Sequence, residues 1–192
     1  LNATVPTSHA GLVVGLTGPN ASGKGEVARF LSEQGFTVHS LSDVVRDEAS
    51  ALGLAHTRDN LIAVGVRLRE RDGAGVLARR IVPRLGDRSV VDSIRGPAEV
   101  EVLRSLPRFA LLGIDAPVAI RFQRSLVRGR TGDGETLEEF RLKEERENSA
   151  TETGQQLRKT FDLADRVVHN DDTLNLLRQR TREALGTLGI EL

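Results

Sequence analysis

The chain has 192 residues, the usual size of one α/β domain and enough to bury a core without disulfides or a structural metal. It has no cysteine, which excludes a disulfide framework, a thiolate zinc site, an iron–sulfur cluster and a cysteine nucleophile. Its 27 Lys and Arg balance 27 Asp and Glu, and its six Phe come without Tyr or Trp, so neither a global field nor a base-stacking surface favours nucleic acid or an anionic membrane.

Residues 1–10 show no hydrophobic period and read as a flexible N-terminal arm without the regions of a signal peptide, so a single domain is expected over 11–192. In chain order the pattern predicts a strand at 12–16, a helix at 24–34, a strand at 37–40, and helices at 42–52, 58–72 and 74–85. A strand at 89–93, a helix at 97–105 and a strand at 109–114 follow, then helices at 117–128, 137–148 and 155–164, a strand at 166–169 and a last helix at 173–185. Short continuous apolar runs separated by helices mark a parallel sheet covered on both faces, so the fold class expected is α/β with a five-stranded parallel sheet. Ser42 and Thr57 have the chemistry of helix N-caps, and Pro97 and Pro117 that of first-turn prolines. The glycine-rich run at 129–136 lies between two charged helices and predicts a mobile lid around 121–148. The longest apolar runs, such as 109–114, fall far short of the roughly 20 residues of a membrane-spanning helix, so no membrane partner and a cytoplasmic location are expected.

Between the first strand and the first helix stands Gly18-Pro19-Asn20-Ala21-Ser22-Gly23-Lys24, a Gly-x-x-x-x-Gly-Lys spacing in the strand–turn–helix context that a phosphate-binding loop requires. Glycines let backbone N–H groups converge on phosphate oxygens, the helix N-terminus adds partial positive charge, and Lys24 reaches the terminal phosphates. The chain has only two other lysines, Lys143 and Lys159, which makes a lysine at this position informative. Gly18, Asn20, Ala21, Ser22, Gly23, Lys24, Gly25 and Glu26 form the expected nucleotide-binding set, with ATP and Mg²⁺ as the expected cofactors. Gly25 departs from the usual pattern, in which a Ser or Thr hydroxyl at that position holds Mg²⁺. Other groups then have to hold the metal, and the Ser22 hydroxyl is one candidate.

On these residues the chain resembles the nucleoside monophosphate kinase and dephospho-CoA kinase group of P-loop kinases, and more closely the small archaeal adenylate-kinase-related proteins of unassigned substrate. The likeness covers most of 12–185 and implies a three-layer P-loop NTPase fold with a small helical lid. Gly15-Leu16-Thr17-Gly18 with Gly23-Lys24-Gly25-Glu26-Val27-Ala28 is similar to the opening of dephospho-CoA kinases except at Gly25. Ser42-Asp43-Val44-Val45-Arg46 resembles the segment with which nucleotide kinases grip the acceptor, which implies that Arg46 holds an acceptor phosphate and Asp43 orients the acceptor or its attacking oxygen. The alternative is a helix start where Asp43 complements the dipole and Arg46 is solvated.

The run 89–95 delivers Asp92 and Arg95 to the carboxyl edge of the sheet, where parallel α/β sheets bind ligands. By the resemblance Asp92 is a Walker-B-like acid, the metal-orienting residue, and Arg95 matches the arginine of an Asp-Gly-x-x-Arg segment and faces the acceptor, with Ser93 in place of the glycine. A turn-capping Asp92 is the alternative. Arg121, Arg124 and Arg128 share one helical face by their three- and four-residue spacing. They resemble a nucleotide-kinase lid entry with Asp133 at its tip, and Arg124 and Arg128 are expected to neutralise charge on the transferred group. Ion pairing with the acidic stretch 138–147 competes with that role. Asn170 follows a segment similar to the closing strand of dephospho-CoA kinases and is implied as a contact to the base, while His169 reads as structural.

The expected function is an ATP-dependent phosphotransferase with Lys24, Asp43, Asp92, Arg124 and Arg128 in catalysis, acting on a small phosphate- or hydroxyl-bearing acceptor of nucleotide type. Gly25 leaves two rivals open. One is a nucleotide-binding regulatory module without efficient transfer, and the other is a plain NTP hydrolase.

Overall fold

The computed structural model describes residues 11–129, 134–148 and 156–192. The expected arm at 1–10, and Arg130 and Asp133 of the lid loop, lie outside them. Among the described residues five strands form one parallel sheet in the order β2-β3-β1-β4-β5. They are β1 Leu12–Thr17, β2 Thr37–Ser40, β3 Arg88–Asp92, β4 Arg108–Asp115 and β5 Arg166–His169. The helices described are α1 Lys24–Glu33, α2 Leu41–Ala51, α3 Arg58–Asp72, α4 Val76–Ile81, α5 Pro97–Arg104, α6 Val118–Arg128, α7 Leu137–Glu147, α8 Leu157–Phe161 and α9 Leu174–Gly186.

Side chains alternate across the sheet and feed two cores. Val13, Val91 and Leu111 pack with Leu41, Leu68, Leu77, Ile81 and Leu103 from α2 to α5. Leu12, Val14, Leu16, Val90, Leu112 and Ile114 pack with Val27, Phe30 and Leu31 of α1 and with Leu177 and Leu185 of α9. Apolar residues on both faces explain why the strands read as continuous apolar runs rather than alternating ones. Helix α1 leaves β1 on one face while α5 leaves the adjacent β3 on the other, which opens a crevice at the carboxyl ends of these two strands. This is the expected three-layer α/β architecture.

Local boundaries differ where caps and prolines act. Ser40, not Ser42, caps α2: it is extended (φ −128, ψ 132) and its side chain accepts the Ser42 N–H, so the helix starts directly at the end of β2. Thr57 caps α3 as expected, accepting from the Asn60 N–H. Pro97 opens α5, but Pro117 is the N-cap of α6 rather than part of its first turn. The helix expected at 74–85 ends at Ile81 and continues as a 3₁₀ turn, Val82–Arg84, because Pro83 has no N–H to continue the α ladder. Among the described residues no helix is long and apolar enough to cross a membrane.

Candidate active site

The loop after β1 can be made only with glycine at its two ends. Gly18 has φ +139, and a Cβ there would lie 2.1 Å from the Ile114 carbonyl oxygen of β4. Gly23 has φ +105, and its Cβ would lie 2.0 Å from Nδ2 of Asn170. The loop is therefore wedged between β4 and the segment after β5, with its N–H-rich concavity at the start of α1. The Asn170 side chain donates to the Ser22 carbonyl at 2.8 Å, and its backbone N–H donates to Asp115 O at 2.7 Å. Asn170 is buried in this role and holds the loop itself; the resemblance had pointed it toward a base.

Lys24 is half-buried and donates to the Gly18 and Pro19 carbonyl oxygens at 2.8 and 2.9 Å. Desolvation of its ammonium lowers its pKa to about 8; Asp92 opposes the shift, while Arg95, Arg121 and Arg128 add to it. Groups from β1's loop, the end of β3 and α6 thus share one electrostatic neighbourhood. Of the charged groups that act on Lys24, three are arginines and one is a carboxylate, a balance that favours an anion.

The three expected lid arginines all reach the loop or its brace, Arg121 from a buried position and Arg128 from an exposed one. Arg121, buried, donates through Nε to Ala116 O at 2.9 Å and through Nη1 to Asn20 O at 3.1 Å, and it pairs with Glu144 of α7. Arg124 donates through Nη2 to the backbone O of Asn170 at 3.0 Å and to its Oδ1 at 3.3 Å, while its buried Nη1 has no hydrogen-bond partner. Burial lowers the Arg124 pKa. Arg128 reaches Asn20 Oδ1 at 3.0 Å. Each arginine of this face therefore contacts the phosphate loop or its Asn170 brace, and Arg121 meets the acidic stretch as well.

Asp92 lies beside Ser40 in the β2–β3 register, and its Oδ1 accepts the Ser93 N–H at 2.6 Å, the turn-capping bond. Arg95 is held by its backbone: its N–H donates to Glu99 Oε2 at 2.8 Å and its carbonyl accepts from Gln156 at 2.9 Å. Glu99 is fully buried and its other oxygen takes Arg69 of α3 at 2.9 Å. Sequence reasoning missed this pair. Two signals pointed to it: Arg69 continues the Leu61, Val64, Gly65, Leu68 stripe of α3, and Glu99 occupies the third position after Gly96, where a carboxylate caps helix-start N–H groups. Asp43 and Arg46 bond each other at 2.6 Å on the exposed side of α2.

Among the described residues no group of three or more His, Cys, Asp or Glu could hold a metal. Mg²⁺ on a nucleotide needs less, since phosphate oxygens and waters complete its shell around one or two protein groups. Ser22 Oγ, fully buried in the loop, has no hydrogen-bond partner, an unsatisfied hydroxyl where a phosphate oxygen or metal-bound water would complete it. Asp92, whose charge reaches Lys24, is the carboxylate oxygen donor beside the loop that suits such an ion.

The AAA domain family model matches residues 17–141. A UPF0200 protein of Methanoculleus marisnigri is 35% identical over 182 residues, covering 92% of this chain and 97% of that protein. A UPF0200 protein of Methanosarcina mazei is 34% identical over 179 residues, covering 90% and 93% of the two chains. The chain belongs to the UPF0200 family. The fold of this UPF0200 chain is also that of shikimate kinase from Acinetobacter baumannii, solved with shikimate, at a TM-score of 0.59 and 14% identity over 94% of each chain. That likeness establishes a P-loop kinase fold.

Proposed function

We propose that the protein is an ATP-dependent phosphotransferase acting on a small nucleotide or nucleotide-like acceptor. The observation that carries the reading is the convergence on Lys24 of Asp92, Arg95, Arg121 and Arg128, contributed by separate elements at one carboxyl-edge crevice. The triphosphate lies along 18–25, with Lys24 exchanging its two carbonyl partners for phosphate oxygens. Asp92 and Ser22 would hold Mg²⁺ through its waters, and the bound ion would neutralise charge between the β- and γ-phosphates. Asp43, Arg46 and Arg95 receive the acceptor. Its oxygen, a phosphate oxygen or a hydroxyl oxygen whose proton passes to the Asp43 carboxylate, attacks the γ-phosphorus, the bond to the β,γ-bridging oxygen breaks, and ADP leaves with the electron pair. Arg124 and Arg128 offset the charge shared by the equatorial oxygens, the form of catalysis phosphoryl transfer uses most. Water has to be excluded or it takes the phosphoryl group in place of the acceptor.

ADP release from MgATP, measured against nucleoside monophosphates, deoxynucleotides and dephospho-CoA, tests the reading. One acceptor is expected to raise the rate at least about tenfold over the no-acceptor control, a gain of 1.4 kcal/mol or more in the barrier. Equal phosphate release with and without acceptors would identify a hydrolase. Nucleotide binding with no turnover would identify the regulatory module, the rival that Gly25 keeps open.

A further inference from the structure

Ser93 follows Asp92 with φ +65, a left-handed conformation that glycine takes freely and L side chains adopt at a cost. The backbone there is held on both sides. Asp92 Oδ1 accepts the Ser93 N–H, while the next residue is tied to β1 by Ile94 N–H to Leu16 O at 3.3 Å and by the Thr17 hydroxyl donating to Ile94 O at 2.9 Å. Glycine is the unstrained choice at such a position, yet this chain has serine, and what serine adds is a hydroxyl.

That hydroxyl lies 3.3 Å from Ser40 Oγ on the neighbouring strand, and Ser40 Oγ also accepts the Ser42 N–H at 3.3 Å. Two hydroxyls bring two protons, and their mutual bond uses one. The contact from Ser42 uses a lone pair. Whichever serine gives the shared proton, one O–H of the pair remains to be donated. Both residues are half-buried, and both flank the carboxylate whose charge reaches Lys24.

We propose that Ser93, paired with Ser40, is a specificity-determining residue for the acceptor, donating a hydrogen bond to an acceptor oxygen, of a phosphate or a hydroxyl, next to the site of transfer. The proposal rests on the phosphotransferase reading. It favours compounds that present an oxygen at this point, because a compound without one leaves the remaining O–H without a partner.

Ser93→Gly and Ser93→Ala, compared with the parent chain, separate the hydroxyl from the backbone. Ser93→Gly is expected to raise Tm by about 2–4 °C by relieving the left-handed serine, and Ser93→Ala to give no rise. In both variants the KM of the stimulating acceptor is expected to increase about tenfold, the loss of one hydrogen bond to a charged or polar oxygen. The Kd of ATP is expected to change less than about twofold, because the hydroxyl lies on the acceptor side. If the parent chain is stimulated by an acceptor of the panel and both variants keep its KM, this inference falls and the phosphotransferase reading stands. If the parent chain binds ATP and the panel stays flat, that reading falls and the inference goes with it.

Discussion

Lys24 sits among Arg95, Arg121 and Arg128 with Asp92 opposing them, and desolvation holds its pKa near about 8 instead of the ordinary 10.5. A bound triphosphate reverses that balance by surrounding the ammonium with anionic oxygens, so the bound state keeps the proton to higher pH than the free state does. The bound form therefore carries more protons above about pH 8, so ATP affinity is independent of this group below that pH and falls as pH rises from about 8 toward 10.5. Calorimetry at pH 9 in two buffers of different ionisation enthalpy should show uptake of close to about one proton per ATP, and none in Lys24→Ala. Equal heats in both buffers for the parent chain would mean that Lys24 stays charged when free. The lysine itself was legible because its spacing from Gly18 and Gly23 is local. Its electrostatic surroundings were not, since Asp92 and the α6 arginines lie tens of residues away in sequence. The bond from Asn170 to Ser22 spans 148 residues and obeys no spacing rule.

At the level of elements, α6 buries Arg121 and Ser125 and leaves Val127 on its outer side, so its inner face is polar and serves the loop rather than a core. The three- and four-residue spacing of its arginines gave that face correctly, and the competing ion-pair reading also holds for Arg121, which bonds Glu144. This pair joins α6 to α7 close to the loop. Glu144→Ala should therefore cost on the order of 2 kcal/mol, because Arg121 is nearly buried and keeps its carbonyl partners and the Phe140 ring but no carboxylate. Thermal unfolding would register a fall of about 4–8 °C, and an unchanged Tm would show that the pair behaves as a solvated surface bridge. Strands were the most legible elements because burial on both faces makes them short, continuous apolar runs. Helix starts were less so: Ser40 and Ser42 carry the same capping hydroxyl, and only the extended backbone at the end of β2 decides between them.

For the whole molecule, the parallel sheet places the loop after β1, the end of β3 and the segment after β5 at one edge, and this juxtaposition makes a site from motifs scattered over the chain. Alternation of strands and helices predicted the layers, and the phosphate-loop motif predicted which edge matters. The buried Arg69–Glu99 pair escaped notice because its partners are 30 residues apart and charged side chains normally read as surface. It braces the Arg95 backbone, so the position of Arg95 depends on α3 and α5 as much as on β3.

The decisive measurement is a titration of ATP into the parent chain and into Lys24→Ala, with circular dichroism confirming that both are folded. In the proposed complex Lys24 makes its charge-assisted contacts directly to the phosphates, so the substitution is expected to weaken ATP binding by about 10- to 100-fold while leaving the fold intact. Equal affinity in the two proteins would contradict the assignment of 18–25 as the phosphate cradle, and with it every role placed around that loop.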